Sequence, residues 1–350
     1  MVSERFLKPK ESVPTGNAPI LGGDGRYLFY LDVQNQTLER VDLNGLGQTS
    51  LSLSGGYNYV TGMYIPDLDK NVIFGNNRYA ICDPYTHTKD LDAAFPDGNP
   101  PTSISCEYDW VNKLMIIVDG SNAQTKTYFL NLQFNNHSGF SLQQKSSYSP
   151  KFVPPNYLYG NIYAGGGLNT NGLAIFIDDY KNNTSLVQSK NDGTAAIGSQ
   201  AYYVKKLNSL FMTGASSMIV LNCISRLETT ITMSNLTSGA ITFNEDNTII
   251  TCRGNGATNH VLSRLNATEK TVIGHNTSKA LSGSETGCKQ LIYSPYTGKV
   301  YARPDANGAA TSRILVYNPG ADSFDADITV TSNTTVWNRR KTMWVNRLAI

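Results

Sequence analysis

The sequence predicts an all-β protein assembled from one recurring hairpin, and three observations predict it. First, the 350 residues include 20 Tyr and 30 Gly, while charged residues make up only 16%, against about 25% in an ordinary soluble domain. Tyr favours strands and Gly supplies tight turns, whereas helices would draw on Ala, Glu, Lys and Leu. Second, no segment sustains a helical apolar period. Third, a polar turn followed by an alternating apolar strand recurs from one end of the chain to the other.

The unit is plain in "SPYTGKVYARPD" (294–305), and it returns in "GGDGRYLFYLD" (22–32), "PDLDKNVIFG" (66–75), "YDWVNKLMIIVDG" (108–120), "NTNGLAIFIDD" (169–179), "VKKLNSLFMTG" (204–214) and "NEDNTIITCRG" (244–254). Each is followed by a second strand, such as "TLERVDL" (37–43) or "SRILVYN" (312–318). The links between them carry the Gly, Asn, Asp and Ser that hairpin loops require. Markers at Tyr27, Val72, Leu114, Leu173, Leu210, Ile249, Lys299 and Met343 are spaced about 45 residues apart on average, and a four-stranded blade takes about 40–50 residues. A lone four-stranded sheet cannot cover both of its faces, so such units stack side by side.

The expectation is therefore a single closed β-propeller over residues 17–350, with a repeat-free arm at 1–16. Seven four-stranded blades fit the spacing best, with six or eight as alternatives. The last stretch, "TTVWNRRKTMWVNRLAI", has strand character but no room for a blade. It is expected to pair with the first 45 residues and to close the ring by removing an open sheet edge. In "SPYTGKVYARPD", Pro295 and Gly298 then shape a turn, Val300 and Tyr301 begin a strand, and Lys299 and Arg303 face solvent.

This rhythm resembles the β-propeller superfamily of the NHL, YVTN and WD40 type, over most of the chain. "SPYTGKVYA" is similar to the opening of an NHL or YVTN hairpin. The Trp-Asp ending of WD40 repeats, the regular kelch signature and the sialidase Asp-box are absent, so the resemblance implies a fold and transfers no functional residue. The Asn/Thr/Gly/Tyr-rich, charge-poor style also resembles virion proteins of tailed bacteriophages.

The chemistry excludes more than it assigns. A net charge of +2 is too balanced for nucleic acid or an anionic membrane as the main partner. No apolar run approaches the roughly 20 residues that span a bilayer, and the polar start of the chain reads as no secretory signal. The five cysteines, Cys82, Cys106, Cys223, Cys252 and Cys288, are scattered, odd in number and never CxxC. That pattern suits a reducing compartment and argues against a disulfide framework or a zinc site. His87, His137, His260 and His275 show no metal-like spacing. The acid pairs Asp178–Asp179 and Glu245–Asp246 fall in predicted turns, and no G-x-S-x-G, H-E-x-x-H or Walker loop is present. No cofactor, metal or catalytic residue is expected.

Two features point to binding. Tyr57, Asn58, Tyr59, Tyr157, Tyr159, Tyr202 and Tyr203 each precede a repeat marker, where they would line a rim with flat faces and hydrogen-bonding edges suited to a glycan or a protein. The competing reading packs these tyrosines between blades. In the arm, Arg5, Phe6, Leu7 and Lys8 form an apolar pair with basic flanks, expected to dock on a neighbouring chain. The function expected is a non-enzymatic structural or binding propeller in a larger assembly, a phage tail, fibre or capsid-associated component located in the virion. The alternatives are a propeller-type glycan hydrolase or lyase, and a cytoplasmic WD40-like scaffold.

Overall fold

A computed structural model describes residues 20–349 apart from 54, 56–57, 77, 95–103, 120–123, 132–140, 147–148, 160–161, 170–171, 180–181, 183, 191–200, 214–216, 234–239, 245, 256–257, 284, 306–311 and 331–340. Arg5, Phe6, Leu7, Lys8 and Tyr57 lie outside the described residues. The chain divides into two compact units, one of residues 20–104 with 239–349 and one of 105–238.

Among the described residues, seven antiparallel sheets of four strands follow one another along the chain, the seventh with one further short strand. In the first unit these are the first, second, sixth and seventh sheets. The second sheet shows the pattern, with Tyr59–Ile65, Lys70–Gly75, Arg78–Cys82 and Lys89–Ala94 in sequence order. The other unit holds the third, fourth and fifth sheets, built around Leu114–Asp119, Gly172–Asp179 and Ser209–Thr213. This is the β-propeller fold that the repeat predicts. Helix among the described residues is limited to the 3-10 turn Lys205–Leu207. No helix of the described residues is long and apolar enough to cross a membrane.

Each marker residue falls in a different sheet except the last. Tyr27 and Met343 share one, because the first sheet runs Met343–Val345, Tyr27–Asp32, Thr37–Asp42 and Gln48–Ser52. The late strand pairs antiparallel with the early one, Leu28 opposite Val345 and Tyr30 opposite Met343. A shorter ladder joins Ile20–Leu21 to Leu348–Ala349. The C-terminal segment thus completes the N-terminal sheet, as expected.

A local rule sets several of the hairpins. Asp32, in a buried position, accepts backbone N–H bonds from Gln34 at 3.0 Å and Asn35 at 3.1 Å. Asp109 does the same for Val111 and Asn112, Asn222 for Ile224 and Ser225, Asn266 for Thr268 and Glu269, and Asn318 for Gly320 and Ala321. Four residues after each anchor the chain turns left-handed, at Gln36 (φ 54°), Lys113 (59°), Arg226 (62°), Lys270 (58°) and Asp322 (50°). A short Asp or Asn side chain closes such a turn by satisfying two amides that would otherwise face water alone.

In the first unit the core lies between sheets. Leu28, Tyr30, Tyr301, Val316 and Val345 fill the space between the first and seventh. Phe29, Leu38, Tyr64, Ile73 and Trp344 fill that between the first and second. Leu262, Leu291, Val300, Leu315 and Tyr317 fill that between the sixth and seventh. Trp344 stacks on Phe29 with ring centroids 6.2 Å apart and donates its indole N–H to Asn71 at 2.8 Å. It sits so close to Gly62 that a Cβ there would come within 2.7 Å of the indole ring.

Two expectations are corrected. Arg303 does not face solvent. It is 2% exposed, and its guanidinium donates to the Thr342 carbonyl and hydroxyl at 3.2 and 2.9 Å and to the Leu31 carbonyl at 3.1 Å. Burial lowers its pKa to about 10, with the Tyr30 and Asp32 side chains opposing. It stays there because it satisfies carbonyls where the completing strand meets the first sheet. The argument against disulfides also fails. Cys252, on Thr248–Asn255 of the sixth sheet, is bonded to Cys288, on Gly287–Ser294 of the seventh. Scattered cysteines say little about pairing when stacked sheets bring distant segments face to face.

Candidate functional site: an arginine–tyrosine surface

In the first unit, several turns close at the same end of adjacent sheets. The 22–26 loop leads into Tyr27–Asp32, and the turn at 295–298 belongs to the seventh sheet. The two are in contact, since a Cβ added to Gly25 would lie 3.1 Å from Pro295 and Ser294 donates its hydroxyl to the Gly25 carbonyl at 2.8 Å. Gly25 has φ +83°, a backbone that Gly adopts freely and that side chains resist. On the other side, Gly23 donates its N–H to the Tyr64 hydroxyl at 3.0 Å. The loop therefore gathers the turns of the seventh, first and second sheets.

Aromatic and cationic side chains collect on this end. Tyr27 meets Tyr85 edge-on, with ring centroids 6.0 Å apart. The Arg26 and Arg40 guanidinium groups lie over the Tyr27 ring at 5.3 and 5.1 Å. Arg26 forks onto Asp42, Nε to Oδ1 at 2.8 Å and Nη2 to Oδ2 at 2.6 Å. That hydrogen-bonded pair holds the Asp42 carboxyl below its usual range and raises the Arg26 pKa. Arg40 donates to the carbonyls of Pro84 and Tyr85, fixing the turn that carries Tyr85. The Tyr85 hydroxyl donates to Asp69 at 3.0 Å, as does that of Tyr64 at 2.6 Å. Tyr85 is nevertheless 44% exposed, and Tyr296, at the tip of the neighbouring turn, is 40% exposed. Two exposed tyrosines beside guanidinium groups immobilised by ion pairing and stacking make a rigid, amphipathic surface.

None of these residues belongs to the predicted rim. Of that set, Tyr59 is buried in the core between the first and second sheets, its hydroxyl donating to Asp92 at 2.8 Å. Burial and that bond push its phenol pKa up. For Tyr59 the packing alternative holds. Asn58 is exposed and accepts an N–H bond from Asn76 at 3.1 Å through its carbonyl. Tyr157 and Tyr159 lie on Ser149–Tyr159, opposite Tyr163 and Ile162. Tyr202 and Tyr203 lie on Ala201–Val204 and are half-buried, with the Tyr203 hydroxyl donating to Asn208 at 3.2 Å. The structure thus divides the predicted set between the two units. Tyr85 and Tyr296 occupy hairpin tips, outside the positions before each repeat marker from which the predicted rim was drawn.

The fold defines the class: solved structures that resemble this chain include propeller proteins. A functionally unknown protein from Desulfotomaculum acetoxidans DSM 771 superposes with a TM-score of 0.65 at 10% identity, covering 91% of this chain and 98% of its own. The C-terminal WD40 domain of Sif2 gives 0.60 at 13%, covering 93% and 90%. A streptogramin B lyase gives 0.59 at 8%, covering 84% and 92%. At such identities the likeness is one of fold. No family model matches the sequence, and no curated protein matches it.

Proposed function

We propose that this propeller is a non-enzymatic binding module that engages a protein partner within a larger assembly. One observation carries the reading, the Arg26–Tyr27–Arg40–Tyr85–Tyr296 surface. Tyr and Arg are the residues that concentrate binding energy at protein interfaces, and they do so best when rigid before the partner arrives. Acidic groups nearby are committed to structure: Asp42 to Arg26, Asp83 to Lys70, and Asp92 to Arg78 and Lys89. This supports recognition over acid–base chemistry. Placement in a phage virion rests on sequence style alone. The N-terminal arm with Arg5, Phe6, Leu7 and Lys8 remains a second proposed contact, and a glycan is the rival ligand.

The test is site-specific photo-crosslinking from position 85 or 296 in the native source, with Leu227, 71% exposed in the other unit, as the control position. A discrete protein adduct from 85 and 296 but not from 227, weakened by Arg40→Ala, is expected. Identical products from all three positions would sink the proposal, and so would glycan capture that Tyr85→Ala and Tyr296→Ala abolish.

A further inference from the structure

Between the sixth and seventh sheets, three soft or borderline donors converge. The sulfurs of Cys252 and Cys288 and a ring nitrogen of His260 all lie within 4.8 Å of one another, and all three residues are buried. His260 is 0% exposed. Its orientation is fixed from behind: Nε2 lies 2.9 Å from Glu285 Oε2. Glu285 accepts from Arg313 at Oε1 (3.0 Å) and Oε2 (2.6 Å) and from the Ser282 N–H at 2.9 Å. Arg313 in turn pairs with Asp327 at 2.9 Å, and Asp327 with Lys279 at 2.6 Å. Glu285 is thus held by Arg313 on one side and faces His260 on the other. In the neutral imidazole tautomer that donates its Nε2–H to Glu285, Nδ1 presents a lone pair 3.4 Å from the Cys288 sulfur.

A disulfide sulfur carries no proton, so in the bonded state that buried lone pair receives no donor from Cys288. An imidazole held by a carboxylate, with its other nitrogen aimed at two sulfurs, is the arrangement by which proteins orient a metal-binding histidine. Two thiolates and one imidazole select closed-shell thiophilic cations. We propose that Cys252, Cys288 and His260 Nδ1 form a buried binding site for zinc(II) or copper(I) when the Cys252–Cys288 bond is reduced. The disulfide takes two electrons and two protons from a dithiol reductant to give two thiols. The cation then binds as the two thiol protons leave, so oxidised and metal-bound states exclude each other. The positively charged Arg313 and Lys279 are already neutralised by Glu285 and Asp327, leaving the two thiolate charges for the cation. Linear spacing did not reveal the site because its ligands come from three strands of two sheets.

The test uses the full chain, oxidised or reduced with a metal-free phosphine under argon. Zinc(II) is titrated against a chromophoric chelator, and copper(I) against a copper(I)-specific one. The expectation is one equivalent of one cation per reduced chain and none per oxidised chain, with at least a tenfold loss of affinity in His260→Ala and no site in Cys288→Ser. Far-UV circular dichroism identifies variants that remain folded. Should a variant unfold, the wild-type contrast decides alone. The absence of stoichiometric binding by the folded reduced chain, equal binding by the oxidised chain, or undiminished binding by folded His260→Ala would overturn the proposal.

Discussion

His87 occupies a left-handed turn position (φ 57°), is 8% exposed, and shares a 2.8 Å hydrogen bond with the Thr49 hydroxyl through Nδ1. Burial, aided by the Arg40 charge, lowers its pKa from 6.5 to about 4. Between those values the unfolded chain binds the proton and the folded one does not, so stability rises with pH through that window. Acidification from about pH 6.5 to about 4 should therefore remove about 3 kcal/mol. Glu285 works lower on the scale: its depressed pKa of about 2 contributes stability that is lost as pH falls from about 4.5 toward 2. His87→Asn keeps a residue tolerant of left-handed backbone and should flatten the upper window while leaving the lower one. Urea midpoints at pH 7, 5 and 4 check this, and an unchanged slope above pH 4.5 would contradict it. This scale was the least legible in the sequence. Arg303 looks like a surface residue in "KVYARPD" because the carbonyl it serves on Leu31 lies 272 positions away. Cys252 and Cys288 look unrelated for the same reason: nothing local records which residues two stacked sheets place opposite each other.

At the scale of the element, the hairpins were readable because their causes are local. A turn of Gly, Asn and Asp followed by alternation fixes both the reversal and the face of each strand. The Asp or Asn anchor and the left-handed residue four positions later are also local, and "YLDVQNQ", "EYDWVNK", "RLNATEK" and "VYNPGAD" display them once the pattern is known. Two substitutions separate the parts. Asp32→Ala strands the N–H groups of Gln34 and Asn35 and should cost about 1–2 kcal/mol. Leu46→Gly, at φ 59° and 51% exposed, relieves a left-handed strain of about 1 kcal/mol and should be neutral or mildly stabilising. Chemical denaturation of both variants reads the contrast, and a destabilising Leu46→Gly would refute the strain argument. The surface of Arg26, Tyr27, Tyr85 and Tyr296 was invisible at this scale, since each residue alone is an ordinary turn or strand residue.

For the molecule as a whole, the count of seven sheets followed from spacing, and the fate of the last residues from their insufficiency as a blade. Why the completing strand holds is a matter of packing. Trp344 is buried against Phe29, bonds Asn71 in the second sheet, and fills the space that Gly62 leaves empty. Losing a buried Trp costs about 3–5 kcal/mol, of the order of a domain's whole margin. Deleting residues 341–350 should therefore lower the melting temperature by at least about 4–7 °C, on the scale of about 1.4 °C per kcal/mol that an unfolding entropy of about 2.1 cal/mol/K per residue gives for 350 residues. It should also make the protein scatter light on concentration, because Tyr27–Asp32 would become an open edge. A truncated chain that stays monomeric with its melting point intact would show the strand to be dispensable.

That shared sheet also fixes an order of events during biosynthesis. Tyr27 and Asn346, hydrogen-bonded at 2.8 Å, are 319 positions apart. At elongation rates of about 5–20 residues per second, roughly 15–60 s pass between their emergence from the ribosome. Throughout that interval the first sheet has three strands, and its side toward the missing partner offers bare amides and carbonyls to any neighbouring nascent chain. Until Met343–Val345 arrives, that open side is a pairing template, and the sheet is sealed only when its most distant strand has been made.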